Sequence, residues 1–283
     1  MKIVAKEGIV PIFLFISMGI TILIVGWFVD PVEHIVTLMG IMCLLFSSFL
    51  ANFYRDPERK IPQSKGIIVS PADGHVMFVR LERAIGKRPS NEDIQSGNYE
   101  TDNLTGDWNN SPCTVPISFE TEQRWESVEG ESEEFDCWRI AIFMSPLDVH
   151  VNRSPIEGKI VKMEHRSGKG RKRGPYIPAF RKESEYNERV RTVIESPSGE
   201  TIEVTQISGS LARTISPWKF EGQSVLRGER YGMIRFGSRV DIRVPARYNP
   251  QVKSVEDRDP NFPKGQFVLA GADILFMLQE EEE

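Results

Sequence analysis

Charge is missing from two long stretches near the start of the chain. Ile9 to Val29 covers 21 residues and Ile35 to Tyr54 covers 20, and neither contains Asp, Glu, Lys or Arg. A solvated helix does not go that far without charge, so a water-exposed role for these runs is excluded. Cysteine is scarce. Cys43, Cys113 and Cys137 have no metal-ligand spacing, cannot all pair, and include one residue inside an apolar run, which points to a reduced, cytoplasmic setting. A basic surplus is also absent, since the formal net charge is -5, and nothing calls for a nucleic-acid partner. No GxGxxG or P-loop pattern occurs, which removes the usual cradles for dinucleotides and nucleoside triphosphates.

Each uncharged run is long enough to cross a hydrocarbon core of roughly 30 Å at about 1.5 Å per residue. The polar turn between them holds Asp30, Pro31, Glu33 and His34, and together they read as a helical hairpin. Lys2 and Lys6 precede it, and Arg55, Arg59 and Lys60 follow it. The positive-inside tendency then places both ends, and everything downstream, on the cytoplasmic side of the cell membrane. A cleaved signal peptide fits poorly, because a second apolar run follows and no small-residue cleavage pattern does. Length alone leaves open a hairpin that enters one leaflet without crossing.

From Gly66 onward, apolar residues alternate or form short runs bounded by Gly and Pro, the signature of strands. Expected strands are Ile67–Val69, His75–Leu81, Arg139–Phe143, Lys159–Met163, Val190–Ile194, Ile202–Gln206, Gly232–Phe236, Val240–Val244, Phe267–Leu269 and Asp273–Leu278. Pro197-Ser198-Gly199 reads as a hairpin turn and Ser210–Ile215 as a short helix. The fold class is therefore mainly β, a sandwich or barrel behind an N-terminal hairpin (residues 1–60, then a domain at 61–283). Ala84 to Asp136 breaks the pattern, with eight acidic residues from Glu120 to Asp136 against one Arg124, and reads as an insertion or long mobile loop. Lys162 to Lys182 is strongly basic and includes Lys169, Arg171, Lys172 and Arg173. Such a run is either a solvated face or, at a membrane, a dock for an anionic head group, at roughly 1 kcal/mol per cation near the surface.

Three blocks carry chemistry. The first is Phe53-Tyr54-Arg55-Asp56-Pro57-Glu58-Arg59 with Val69-Ser70-Pro71-Ala72-Asp73-Gly74. The second is Met144 to Pro155, containing Asp148-Val149-His150-Val151-Asn152-Arg153. The third is Gly228 to Asp241, containing Arg235-Phe236-Gly237-Ser238-Arg239. Singly, each has a plain reading. Pro-Ala-Asp-Gly is a good turn, and a lone histidine after a strand is commonly structural. Residues alone stop at a β domain in which an Asp, a His and a Ser can meet.

In this order, after a membrane anchor, the blocks resemble the short form of the phosphatidylserine decarboxylase proenzymes, which includes the archaetidylserine decarboxylases. The resemblance runs from Phe53 to about Pro245, apart from the insertion, and includes Asn187-Glu188-Arg189 and Gln206-Ile207-Ser208-Gly209. It implies cleavage between Gly237 and Ser238 by attack of Ser238 on the Gly237 carbonyl. A β chain of residues 1–237 and an α chain of 238–283 would result, associated as a heterodimer. Ser238 becomes a pyruvoyl group, the covalent cofactor, which forms a Schiff base with a serine phospholipid and takes up the electrons left by departing CO2.

The family's assisting aspartate and histidine map onto Asp73 and His150, a histidine titrating near neutral pH suiting both proton tasks. Long-form relatives carry a second histidine where this chain has Arg153, so a contribution from His165 or His75 stays open. Asp148 is either the orienter of His150 or a turn residue, and Arg239 and Asp241 are read as stabilisers of the turn beside the cut. Two rivals are a non-enzymatic, membrane-anchored lipid-binding β domain and a serine hydrolase. No Gly-x-Ser-x-Gly elbow surrounds Ser238, which disfavours the hydrolase.

Overall fold

The computed structural model describes residues 4–28, 33–87, 123–127, 137–166, 187–209, 214–235 and 238–279. They form two compact units: residues 1–58 with the loop 146–151, and residues 59–145 with 152–283.

The first unit is the expected helical hairpin, α1 (Lys6–Gly26) and α2 (Glu33–Phe53). Both are long and apolar enough to cross a membrane. Small residues let the backbones approach. A Cβ added to Gly19 would lie 3.1 Å from the Gly40 carbonyl oxygen, and one added to Gly40 would lie 3.1 Å from that of Gly19. Phe15 and Phe46 meet edge to face at 4.7 Å, and Ser47 donates to the Ile12 carbonyl. The outward residues are apolar and open, Val10 being 74% exposed, as suits a hydrocarbon surrounding rather than water. A bridge between Val4 and Arg55 brings the two ends of the hairpin together.

The second unit is built from fifteen strands among the described residues: β1 (Ile67–Val69), β2 (Gly74–Lys87), β3 (Gln123–Ser127), β4 (Cys137–Met144), β5 (Val151–Arg153), β6 (Gly158–Arg166), β7 (Arg189–Glu195), β8 (Thr201–Ile207), β9 (Ile215–Pro217), β10 (Ser224–Val225), β11 (Arg230–Ile234), β12 (Ser238–Pro245), β13 (Tyr248–Pro250), β14 (Phe267–Val268) and β15 (Ile274–Leu278). The main sheet runs β10-β6-β7-β8-β12-β4-β2-β14, with β3 also on β2. Two three-stranded sheets, β1-β15-β13 and β5-β11-β9, complete sandwich-like layers without a closed barrel.

The strands form where apolar residues alternate. On β12, Val240, Ile242 and Val244 turn to one face and Arg239, Asp241 and Arg243 to the other. Register aligns Val240 with Ile142 and Gln206, and Ile242 with Ile140 and Val204, so the apolar faces of three strands make one buried layer.

The opposite face is charged and yet buried. Arg239 donates to both carboxylate oxygens of Asp241 at 2.5 and 2.7 Å, and Arg139 donates to the same Oδ2 at 2.9 Å. The guanidiniums of Arg80, Arg139 and Arg239 lie 4.7, 5.4 and 5.0 Å from the centre of the Phe78 ring. Burial alone would push the Asp241 carboxyl up, but Arg239 and Arg139 outweigh it and hold it below the usual carboxylate range.

Four expectations need correction. Arg239 and Asp241 are not turn residues; they lie inside β12 as a buried ion pair. β2 runs on to Lys87, and β3 lies within the stretch read as an insertion, because antiparallel pairing from Glu82 to Lys87 accepts polar residues that carry no alternation. Ile215 is not the end of a helix but the start of β9, paired with Ile234; residues 210–213 lie outside the described set. The third block's strand ends at Ile234, not Phe236, which also lies outside that set. The turn at Pro197–Gly199 is as read, with Gly199 at φ +84°.

Asp241→Asn removes the carboxylate that Arg139 and Arg239 share. It should lower unfolding free energy by about 3 kcal/mol, measured from the denaturant midpoint; a loss under about 1 kcal/mol would contradict this reading of the pair.

Candidate functional site

The apolar layer of the main sheet becomes polar at one end, and Ser238 stands there. As the first residue of β12 it is registered on Met144, the last residue of β4. Both are fully buried, and the Ser238 hydroxyl donates to the Met144 thioether at 3.2 Å. Sulfur is a weak acceptor, so the hydroxyl is held in place without being activated. Asn152 donates through Nδ2 toward the same sulfur at 3.8 Å and toward the Pro71 carbonyl at 3.4 Å. Its Oδ1 accepts from Gln206 Nε2 at 2.7 Å, which fixes both amides. Gln206 Oε1 is buried and has no hydrogen-bond partner among the described residues. Met144, Asn152 and Gln206 had no assigned role in the sequence, although all three lie in blocks singled out there.

Asp73 closes the turn before β2. Oδ2 accepts from Arg59 and Oδ1 from the Ala270 N–H, each at 2.7 Å. Ser70 Oγ donates to the Ala72 carbonyl, and the Arg153 N–H donates to that of Pro71. The turn thus couples the first and second sequence blocks. His75 and Arg239 are both registered on Phe143, one from each side, so β2 and β12 begin at the same level. Two strand spacings set Asp73 and Ser238 roughly 10 Å apart.

The other histidines of this unit stand elsewhere. His75 shares the face of Phe143 and Arg239, opposite to that of Ser238, and its Nδ1 meets the Gly265 carbonyl at 3.0 Å. His165 lies on β6, three strands or about 14 Å from β12, with Nε2 2.9 Å from Glu188. The stretches at Asn187 and Gln206 meet each other: Asn187 Nδ2 donates to the Ser208 carbonyl, and the Ser208 N–H to that of Glu188. Gly237 and the basic residues Lys169, Arg171, Lys172 and Arg173 lie outside the described residues. No cluster of His, Cys, Asp and Glu fit for a metal occurs among the described residues.

His150 belongs to the first unit, on the loop 146–151. Its ring is fully buried and packs on Phe53 at 4.2 Å between centroids. Nδ1 lies 2.8 Å from the backbone carbonyl of Asp148, which makes Nδ1 the protonated nitrogen. Asp148 thus orients the ring through its main chain. Nε2 is buried and has no hydrogen-bond partner among the described residues. Burial pushes the imidazole down from 6.5 to about 4; the Asp148 carbonyl opposes this and the nearby Arg55 guanidinium adds to it. Titration near neutrality, expected for this residue, is therefore corrected: desolvation keeps the ring neutral.

The sequence profile of the family described as phosphatidylserine decarboxylase matches residues 46–275. A protein of Methanosarcina acetivorans named "Putative archaetidylserine decarboxylase proenzyme" is 33% identical over 262 residues, covering 92% of this chain and 89% of its own. A "Phosphatidylserine decarboxylase proenzyme" of Granulibacter bethesdensis is 34% identical over 262 residues, covering 92% and 81%.

The depressed His150 pKa has a consequence for stability. The unfolded chain takes up this proton near pH 6.5 and the folded chain only near 4, so stability present above 6.5 is lost as pH falls between the two values. Two to three pH units correspond to about 3 kcal/mol. His150→Gln should flatten the fall in unfolding free energy between pH 7 and 4.5 by about that amount. An unchanged acid slope would contradict the assignment.

Proposed function

We infer the function of this chain from one premise: it belongs to the phosphatidylserine decarboxylase family. It is a decarboxylase of serine phospholipids, and we propose that it matures by cutting itself between Gly237 and Ser238. The observation that carries this reading is Ser238 itself: a fully buried hydroxyl at the first position of a central strand, whose hydrogen bond among the described residues goes to a thioether, in a family whose relatives are named proenzymes.

In the first step the Ser238 oxygen attacks the Gly237 carbonyl carbon. A C–O bond forms, the Gly237–Ser238 C–N bond breaks, and an ester with a free Ser238 amine results. His150 takes the hydroxyl proton on Nε2, the nitrogen left unprotonated by the Asp148 contact. A buried imidazole with a pKa near 4 is neutral at physiological pH; once protonated, it gives its proton up readily, to the Ser238 nitrogen as the C–N bond breaks. Elimination then releases the Gly237 carboxylate and leaves a dehydroalanine at position 238. One water converts this to the pyruvoyl terminus and ammonia. Asp73, with Arg59 and Ala270, assists by fixing the strand end beside Ser238.

The residues present fit the pyruvoyl group that the family implies. Ser238 is shielded from water, and the strand it begins stays paired with β4 and β8 after the cut. That pairing also supports a lasting heterodimer of the 1–237 and 238–283 chains. When in place, the carbonyl supplies the sink for the electron pair left by CO2. His150 returns a proton to the product carbon. The two apolar helices support a transmembrane anchor, and the basic residues flanking them in the sequence support a β unit on the cytoplasmic side. Lys169, Arg171, Lys172 and Arg173 are proposed to dock the anionic head group of phosphatidylserine or archaetidylserine.

Mass spectrometry of the active protein should find two chains, the smaller carrying a carbonyl at its first residue that borohydride reduces. Ser238→Ala should remain a single 32.2 kDa chain without activity. Active protein made only of the intact chain would overturn the reading.

A further inference from the structure

The proton-moving histidine is built into the unit of the apolar hairpin. Loop 146–151 clusters with residues 1–58, and α2 ends at the residue that meets the imidazole. Phe53 is fully buried, and its ring lies 4.2 Å from that of His150, tilted by 38°. Tyr54 packs edge to face on Phe53 at 5.0 Å, which limits how that ring can turn. Beyond it, Arg55 is pinned to Asn52 by bonds of 2.8 and 3.0 Å. The same loop presents Leu147, 64% exposed, as the outward residue beside the buried histidine.

An imidazole has two torsions to be fixed. The hydrogen bond from Nδ1 to the Asp148 carbonyl sets the tautomer and one in-plane direction, but still lets the ring swing about that bond. A neighbouring ring restricts that swing, and Phe53, tilted by 38° at 4.2 Å, supplies one. Nε2 is the one ring atom with chemistry left to do, and it carries no hydrogen bond among the described residues to steer it. The Phe53 contact therefore helps to set the ring's orientation.

We propose that Phe53 is a positioning residue: the last residue of the second apolar helix holds the orientation of the His150 ring, and with it that of Nε2. The hairpin is then a working part of the decarboxylase as well as its anchor. This inference rests on the reading of His150 as the proton carrier.

The test uses the full chain in lipid–detergent micelles, with chain cleavage and phosphatidylserine turnover measured for Phe53→Leu, Phe53→Tyr and His150→Ala, and for Phe53→Leu combined with His150→Ala. Phe53→Leu keeps apolar bulk but loses the flat face. It should slow cleavage and kcat about 10- to 100-fold with KM within about twofold, as expected for a misplaced catalytic group. Phe53→Tyr should restore the rate to within about threefold. With added imidazole replacing the missing base, Phe53→Leu should cause no further loss in the His150→Ala chain, because its effect passes through His150.

An equal loss in both backgrounds would mean that Phe53 serves only the fold and would overturn the inference. So would an unchanged kcat in Phe53→Leu when His150→Ala is dead. Full activity of His150→Ala would instead take down the reading of His150, and this inference with it.

Discussion

Eight residues from Ser238 to Pro245 pair with β4 along one edge of β12, and five of them pair with β8 along the other. That double pairing sets which face each side chain takes, and the rest of the site follows from it. Odd and even positions separate a dry aliphatic layer from a layer of arginines and carboxylates. Ser238 falls on the dry side, at the point where aliphatic neighbours give way to Met144 and Gln206. A serine in that place is shielded from water and meets no strong acceptor among the described residues. Both conditions suit a hydroxyl that reacts once with its own backbone. The same pairing would keep the strand in the sheet after the proposed cut before Ser238.

The charged layer behind β12 carries a different burden. Arg239 adjoins Ser238 in sequence but points the opposite way, into a pair with Asp241 that Arg139 also joins. Buried ion pairs of this kind add little net stability over apolar packing, yet removing one partner is costly. Their effect here is to hold the register of β12, β4 and β2 at the end where Ser238 and Asp73 stand. A slip of one residue would exchange Ser238 with Arg239 and leave a guanidinium in the aliphatic layer.

Much of this was legible in the sequence for identifiable reasons. Runs without charge gave the hairpin, since no solvated helix of that length lacks charge. Alternation gave β12 and β8, and a short apolar run gave β4. Motif order singled out Ser238, His150 and Asp73, none of which stands out by residue type alone. What escaped is nonlocal. β3 has no alternation of its own and owes its existence to the edge of β2. The Met144 thioether against Ser238 and the Asn152–Gln206 amide pair join residues 94 and 54 positions apart. Burial of His150 is equally invisible in Asp-Val-His-Val-Asn-Arg, and that burial moves its pKa away from neutrality. Phe53 opened a motif already noted, but its contact with the imidazole is visible only in the structure.

The central claim is that a buried serine, made into a carbonyl by the chain's own chemistry, removes CO2 from a serine phospholipid. The direct measurement is release of labelled CO2 from carboxyl-labelled phosphatidylserine vesicles by the purified full chain, without added pyridoxal phosphate, before and after treatment with borohydride. The account predicts CO2 matched by ethanolamine phospholipid, lost irreversibly once the carbonyl is reduced and never seen with Ser238→Ala. Steady CO2 release from the Ser238→Ala chain, or from the wild-type chain after full reduction, would contradict it.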